Sequence, residues 1–280
     1  MAVSSLATLM MVLGTVCVSC ACPSTPSERV TWVDCKMSQQ YGFDRADFEV
    51  AGRRGFVIFP AGRTGAPLPW VWYAPTFIGA YPAESNRWMG ERLLAQGIAI
   101  CGVDVGESYG NPEGRAAFTQ FHKFVVSKFG LKRECCLWAQ SRGGLMHYNW
   151  AVEHPDLVKC IGGTFPVCDL ASYPGLAAAC SAYGMTESEL RLHLAEQNPI
   201  DRLTPLAAHK VPIFLVHGDS DGVVPLESNS AELARRYKAL GGPVELLVVK
   251  GKGHEVVPEF FECQKMVDFF VRNAVRAHSR

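Results

Sequence analysis

The sequence predicts an α/β protein with a mostly parallel central sheet and helices on both faces. Three observations carry this. Short, almost wholly apolar runs recur along the chain, as strands buried on both faces require. Stretches with apolar residues at helical spacing lie between them. Only near the start do two strand runs follow one another directly, which implies an antiparallel edge.

In chain order, residues 48–50 and 55–59 read as strands joined through Ala51-Gly52-Arg53-Arg54, a hairpin signal. Residues 69–74 form a further strand that ends at Pro75-Thr76-Phe77. Residues 86–96 place Trp88, Met89, Leu93 and Leu94 on one helical face, and Gly97 stops the helix. A buried strand over 98–103 closes at Asp104, and 112–129 is a helix with Phe118, Phe121, Phe124 and Val125 on one side. Residues 134–139 form a strand, 143–153 a helix and 157–165 a strand. Residues 167–205 break the alternation with a loop-like stretch and a short helix at 187–196. Strands at 213–217 and 244–249 and a helix over 260–275 complete the chain.

The chain has 280 residues, no internal repeat and 48% apolar residues, enough for one large core. Net charge is zero, so neither the basic face of a nucleic-acid binder nor strong electrostatic steering is expected. Residues 6–18 are an apolar run of about thirteen, the length of a signal-peptide core and short for a bilayer span. The expectation is a signal peptide over 1–21, a linker and extension over 22–47, and the main domain over 48–280. Localisation is then secreted or periplasmic, with Cys20 or Cys22 as a candidate lipid-anchor site. An inert extension is the alternative, since no Lys or Arg precedes the run. Of eleven cysteines, Cys101, Cys135, Cys136 and Cys160 lie in strand runs and read as small buried hydrophobes. Cys168 and Cys180 sit in loop-like sequence and are a candidate bridge in an exported protein. No Cys/His spacing resembles a zinc site.

Three segments carry chemistry. Ala139-Gln140-Ser141-Arg142-Gly143-Gly144 places a serine between a strand and a helix, with small residues two before and two after it. A sharp turn there would hold the hydroxyl clear of the backbone, where a base can take its proton. His217-Gly218-Asp219-Ser220-Asp221 follows the next-to-last strand, and Gly251-Lys252-Gly253-His254 follows the last. Ser, Asp and His thus come in that order, each beyond the carboxyl end of a strand, where ligand sites of open α/β sheets lie. This order and setting resemble the α/β-hydrolases over residues 48 to 275, with Ala139 standing where the family's elbow usually has glycine.

The resemblance implies an α/β-hydrolase fold with a small cap over residues 167–205, and it implies Ser141 as nucleophile, His254 as base and Asp221 as the acid that orients it. Asp219 competes for the acid role, but the pattern His-Gly-x-x-Asp-x-x-Val-Pro favours Asp221. His217, within the strand end, reads as structural. The family places one oxyanion donor on the amide after the nucleophile, Arg142, and another after the third strand, here Phe77 with Thr76 as second choice. Thr76 and Glu107 are candidate substrate contacts. The Ser-Arg pair resembles the glucuronoyl esterases, where the arginine aids the oxyanion; the alternative is an ion pair from Arg142 to Glu107. The expected reaction is hydrolysis of a carboxylic ester, of a small molecule or carbohydrate, without metal or organic cofactor. A peptidase like the prolyl oligopeptidases is the second reading, although their usual propeller domain has no room here. A non-catalytic binding protein on the same scaffold is the third.

Overall fold

The computed structural model describes Met1 and residues 35–275, apart from 63, 64 and 78–80. The expected signal peptide, with Cys17, Cys20 and Cys22, and the extension up to residue 34 lie outside the described residues, Met1 aside.

Nine strands form one sheet: β1 (Lys36–Gln40), β2 (Phe43–Val50), β3 (Arg53–Ile58), β4 (Trp70–Ala74), β5 (Ala99–Val103), β6 (Cys135–Gln140), β7 (Val158–Thr164), β8 (Ile213–Gly218) and β9 (Val244–Val249). Their spatial order is β1-β2-β3-β5-β4-β6-β7-β8-β9. Pairings from β1 to β5 through β2 and β3 are antiparallel, and all later ones are parallel. The helices are α1 (Arg87–Ala95), α2 (Pro112–Phe129), α3 (Gly143–Glu153), α4 (Leu176–Ala179), α5 (Glu187–Leu192), α6 (Leu194–Gln197), α7 (Thr204–Ala208), α8 (Ser230–Ala239), α9 (Pro258–Phe261) and α10 (Gln264–Val275).

The sheet begins earlier than expected. β1 and most of β2 lie in the stretch assigned to the extension over 22–47, because Lys-Met-Ser-Gln-Gln is an exposed edge strand with no apolar alternation to reveal it. The hairpin from β2 to β3 turns through Ala51 and Gly52, both at positive φ (52° and 71°), as a tight two-residue turn demands. Helix α2 has the expected bounds. The Asn111 side chain accepts from the Gly114 amide at 2.7 Å, Pro112 opens the first turn, and Gly130 ends it at φ 64°. Two expected helices are broken. The 187–196 stretch is split at His193, and 260–275 is interrupted at Glu262 and Cys263, between α9 and α10.

Central strands alternate between two cores. Trp70, Trp72 and Ala74 of β4 and Cys135, Leu137 and Ala139 of β6 face the layer with α2, α3 and α8. Val71, Tyr73, Cys136, Trp138 and Cys160 face α1 and α10. The neighbouring Cys135 and Cys136 therefore point to opposite faces, and both are buried as small hydrophobes. Cys168 and Cys180 are free thiols, so the candidate bridge is not formed; their Sγ atoms lie near the Pro166 and Ala177 carbonyls instead.

The cap is a chain of short helices with its own apolar cluster of Leu170, Leu176, Ala179, Tyr183 and Leu190 against Leu145 and Val224. Two buried asparagines fasten its base. Asn229 accepts from the Cys168 and Asp169 amides at 2.8 and 3.2 Å, and its Nδ2 donates to the Pro225 carbonyl. Asn198 accepts from the Leu170 amide at 2.9 Å and donates to Asp169 and Asp201.

His147 of α3 is the anomaly of the core. It is fully buried beside Trp72 and Phe118, and neither ring nitrogen has a partner among the described residues. Burial pushes its pKa down to about 3, against an ordinary value of about 6.5. The folded protein thus holds this proton more weakly than the unfolded chain. The stability that neutral His147 permits is present above about pH 6.5 and is lost as pH falls toward 3, by up to about 1.4 kcal/mol per pH unit. His147→Phe should raise the urea midpoint at neutral pH, by about 1–2 kcal/mol in unfolding free energy, and should flatten the acid limb below about pH 6. Denaturation at a series of pH values checks both; parallel curves for the two proteins would refute the assignment.

Candidate active site

The site is built on the turn between β6 and α3. Ser141 has φ 49°, a conformation that costs a non-glycine residue energy and must be held from outside. Its amide donates to the Thr164 carbonyl at 3.1 Å, and its carbonyl accepts from the Gly144 and Val167 amides at 2.9 and 2.8 Å. The glycine at 143 has a different reason from the turn itself. A Cβ there would lie 2.1 Å from the Ala74 carbonyl oxygen at the end of β4. A Cβ on Gly144 would meet the Val167 carbonyl oxygen at 2.3 Å. The elbow tolerates Ala139 because its sheet neighbours in register are Ala74 and Gly163, both small.

Two loops bring the other expected residues to Ser141. Its Oγ lies 2.9 Å from His254 Nε2, and His254 Nδ1 lies 2.8 Å from Asp221 Oδ2. With Nδ1–H donating to the carboxylate, the Nε2 lone pair is left to accept the serine proton. Asp221 is buried, and its Oδ1 accepts from the Val223 and Val224 amides at 2.9 and 2.8 Å. Those two bonds orient the carboxylate before the histidine arrives. Asp219 stands outside this line. It accepts from the Gly251 amide at 2.7 Å and so ties the aspartate loop to the histidine loop. The Ser220 amide adds a bond to the Lys252 carbonyl at 3.0 Å. Gly218 makes this closeness possible, since a Cβ there would lie 2.1 Å from the Lys252 oxygen.

His217 is structural, as its position in the strand implied. Its Nε2–H donates to the Val224 carbonyl at 2.8 Å, and Nδ1 accepts from the Ser230 hydroxyl at 2.7 Å. Burial lowers its pKa and keeps the ring neutral, although Asp221 Oδ2 is 3.4 Å from Nε2. Three features were not foreseen from sequence. Phe165, at φ 36° just beyond β7, packs its ring 4.3 Å from the His254 ring. Gln140 accepts from Asn86 at 2.8 Å and from the Tyr73 hydroxyl at 3.2 Å, bracing the strand end before the serine. Asn229 fixes the start of the cap. No motif marks any of them, because each is defined by a partner distant in sequence.

Arg142 resolves one alternative. Its Nε lies 2.9 Å from Glu107 Oε1, and its guanidinium stands over the Phe77 ring at 4.7 Å. The ion pair with Glu107 is formed, so the Glu107 carboxylate is held by protein. Thr76 does not suit the substrate contact expected of it. It is buried, and its hydroxyl donates to the Tyr73 carbonyl at 3.1 Å. The Arg142 and Phe77 amides have no hydrogen-bond acceptor among the described residues. The Glu107 loop is clamped to the cap by the Tyr183 hydroxyl on the Tyr109 carbonyl at 2.8 Å and by Asn111 on Ala182. Arg115 and Asn149 hold the Gly110 carbonyl from below. Among the described residues, no cluster of His, Cys, Asp or Glu is placed to hold a metal ion, and no helix is long and apolar enough to cross a membrane.

This geometry agrees with what the chain is similar to. A model of the prolyl oligopeptidase family matches residues 117–275, more than half of the chain and the part that holds Ser141, Asp221 and His254. The chain belongs to the prolyl oligopeptidase family. Solved structures match across most of it. The S-formylglutathione hydrolase of Agrobacterium tumefaciens superposes with a TM-score of 0.69 at 15% identity, over 88% of this chain and 100% of that one. The acylaminoacyl peptidase of Pyrococcus horikoshii gives 0.67 at 18% identity, over 88% of this chain and 43% of that one. A cold-adapted esterase from an Arctic intertidal metagenomic library gives 0.58 at 15% identity, over 85% and 97%. At these identities the fold is what is shared. The chain spans less than half the length of the peptidase and nearly all of the S-formylglutathione hydrolase and of the esterase. No curated protein matches. Fold and family together make this chain a serine hydrolase of the α/β-hydrolase superfamily.

The elbow argument has a direct consequence. Gly143→Ala should cost about 3 kcal/mol or more, because the new methyl group collides with backbone rather than a movable side chain. Equilibrium unfolding in urea measures it; a loss under about 1 kcal/mol would mean that β4 and α3 can separate freely.

Proposed function

We propose that this member of the prolyl oligopeptidase family hydrolyses carboxylic esters, of small molecules or carbohydrates, through an acyl-enzyme on Ser141. The observation that carries the reading is the unbroken hydrogen-bonded line from Ser141 through His254 to the pre-oriented Asp221. Ser141 passes its proton to His254 Nε2 as Oγ attacks the ester carbonyl. Asp221 holds the imidazole in the tautomer that can accept, and stabilises the imidazolium that results. The amides of Arg142 and Phe77 are the donors assigned to the oxyanion, with Arg142 also at the positive end of α3. The alcohol leaves with the proton from His254. A water molecule then repeats the attack on the acyl-enzyme and frees the acid and Ser141.

Ester rather than amide chemistry is supported by the esterase neighbour and, through the related thioester, by the S-formylglutathione hydrolase, both of which this chain covers almost end to end. The family match itself favours the second reading, a peptidase. A fluorophosphonate probe with mass-spectrometric mapping, alongside p-nitrophenyl acetate, butyrate and octanoate and a peptide anilide, separates the two. Adduct at Ser141 with turnover of short esters is expected. Turnover of the anilide alone would move the assignment to a peptidase, and a folded protein without adduct would favour the binding-protein alternative.

The roles predict distinct variants. Ser141→Ala should lower kcat by at least about 10⁴-fold with folding retained. Asp221→Asn should lower kcat by about 10³–10⁴-fold by favouring the wrong imidazole tautomer. Asp219→Asn, which touches only the Gly251 amide and Ser220, should stay within about ten-fold of the starting enzyme. The reverse ranking of the two aspartates in steady-state kinetics would transfer the acid role to Asp219.

A further inference from the structure

Gln140 is the last residue of β6 and directly precedes Ser141. It lies two residues beyond Trp138, so both side chains fall on the α1 face of the sheet. There the Gln140 Oε1 is shared by two donors far from it in sequence. Asn86 Nδ2 donates to it at 2.8 Å and the Tyr73 hydroxyl at 3.2 Å. The direction of both bonds is fixed. Asn86 Oδ1 accepts the Ala83 amide at 3.0 Å, so Nδ2 is the Asn86 atom turned to Gln140, which must present oxygen. Tyr73 is fully buried, and burial raises its pKa well above the ordinary range, which keeps the phenol a donor.

Tyr73 and Asn86 flank the stretch 74–85, which contains Phe77. Tyr73 belongs to β4, and Asn86 closes the short helical turn before α1. One oxygen beside the nucleophile therefore holds the chain on both sides of Phe77. Phe77 is fixed within the stretch as well. Its carbonyl accepts from the Tyr81 amide at 2.9 Å, and its ring lies under the Arg142 guanidinium at 4.7 Å. Its amide is left with no acceptor among the described residues.

We propose that Gln140 is a positioning residue for oxyanion stabilisation, its side-chain oxygen holding Tyr73 and Asn86 so that the Phe77 amide is fixed in place relative to Ser141. This role rests on the serine-hydrolase reading and on the donor role assigned there to Phe77. A donor aimed at a developing oxyanion is effective when it is held in place before the reaction begins. Apolar packing already seats α1 through Met89, Leu93 and Leu94. The shared acceptor adds direction, which packing does not supply.

Gln140→Met keeps the length of the side chain and removes the strong acceptor. Competent sites are first counted as fluorophosphonate adduct at Ser141, so that kcat is expressed per site. Gln140→Met should lower kcat per site by about 10–100-fold with KM within about three-fold. A trifluoromethyl ketone, whose carbonyl carbon takes the Ser141 oxygen and whose own oxygen takes the charge, should be weakened by the same factor as kcat/KM. Tyr73→Phe, which lacks only the hydroxyl, should lower kcat and ketone affinity together by about two- to five-fold, and should add nothing in the Gln140→Met background, where the shared acceptor is already gone. A brace that serves stability alone would lower the urea midpoint and the count of competent sites while leaving kcat per site and ketone affinity unchanged. That outcome overturns the proposal, as do additive losses in the double variant. If Gln140→Met does not fold, Tyr73→Phe decides by the same pair of readouts. The comparison is made on whichever of p-nitrophenyl butyrate and the peptide anilide the starting enzyme turns over, so a peptidase outcome strikes the ester reading and leaves the role of Gln140 standing. A starting enzyme that forms no ketone adduct strikes the hydrolase reading and this role together.

Discussion

The arrangement of this molecule depends on one backbone approach, that of the first turn of α3 to the end of β4. At Gly143 there is no room for a methyl group beside the Ala74 carbonyl. That proximity sets the tilt of α3, and with it the αL conformation of Ser141 and the direction in which its hydroxyl points. The strain at the serine is offset by its three backbone hydrogen bonds to Thr164, Gly144 and Val167. The same approach ties the start of the segment after β4 to the turn, since a Cβ on Gly143 would also lie 2.5 Å from the Pro75 nitrogen.

Electrostatic order at the site comes from burial and fixed hydrogen bonds more than from net charge. Asp221 is anchored by two amides on one oxygen and offers the other to His254. His217 sits against the same carboxylate but is held neutral by burial and by bonds on both nitrogens. A second imidazolium beside His254 is thereby avoided. Arg142 would be a free cation beside Ser141 were it not for Glu107, whose loop is fastened to the cap. The cap and the serine elbow thus communicate through one ion pair.

Much of this was legible in the sequence, and the reasons are physical. Strands buried on both faces leave unbroken apolar runs, so β4 to β8 stand out; β9 is a half-buried edge strand that nevertheless keeps an apolar run, and residues beyond the carboxyl ends of β6, β8 and β9 mark the site. Ser141, Asp221 and His254 each follow such a run, and the structure brings all three together. The edge strand β1 was illegible because an exposed strand needs no apolar pattern. Thr76 was misjudged because a hydroxyl near a site looks the same in sequence whether it faces substrate or the Tyr73 carbonyl. Phe165 and Asn229 gave no local signal, since their roles exist only through partners brought near by folding. The glycine at 143 was identified correctly, although the atom it makes room for lies on another strand, 69 positions earlier.

The two asparagines under the cap have a wider consequence. Asn198 and Asn229 bind backbone amides of 168–170 and the side chains of Asp169, Ser172 and Asp201. Every one of these partners lies outside 176–197, so the socket itself asks nothing of the sequence in between. With Tyr183 kept for its bond to the Tyr109 carbonyl, the helices between 176 and 197 are free to diverge in length and composition while the Ser141–His254–Asp221 line stays the same. Diversification of this lineage would be concentrated in that interval, with the socket and the elbow as its fixed mounts.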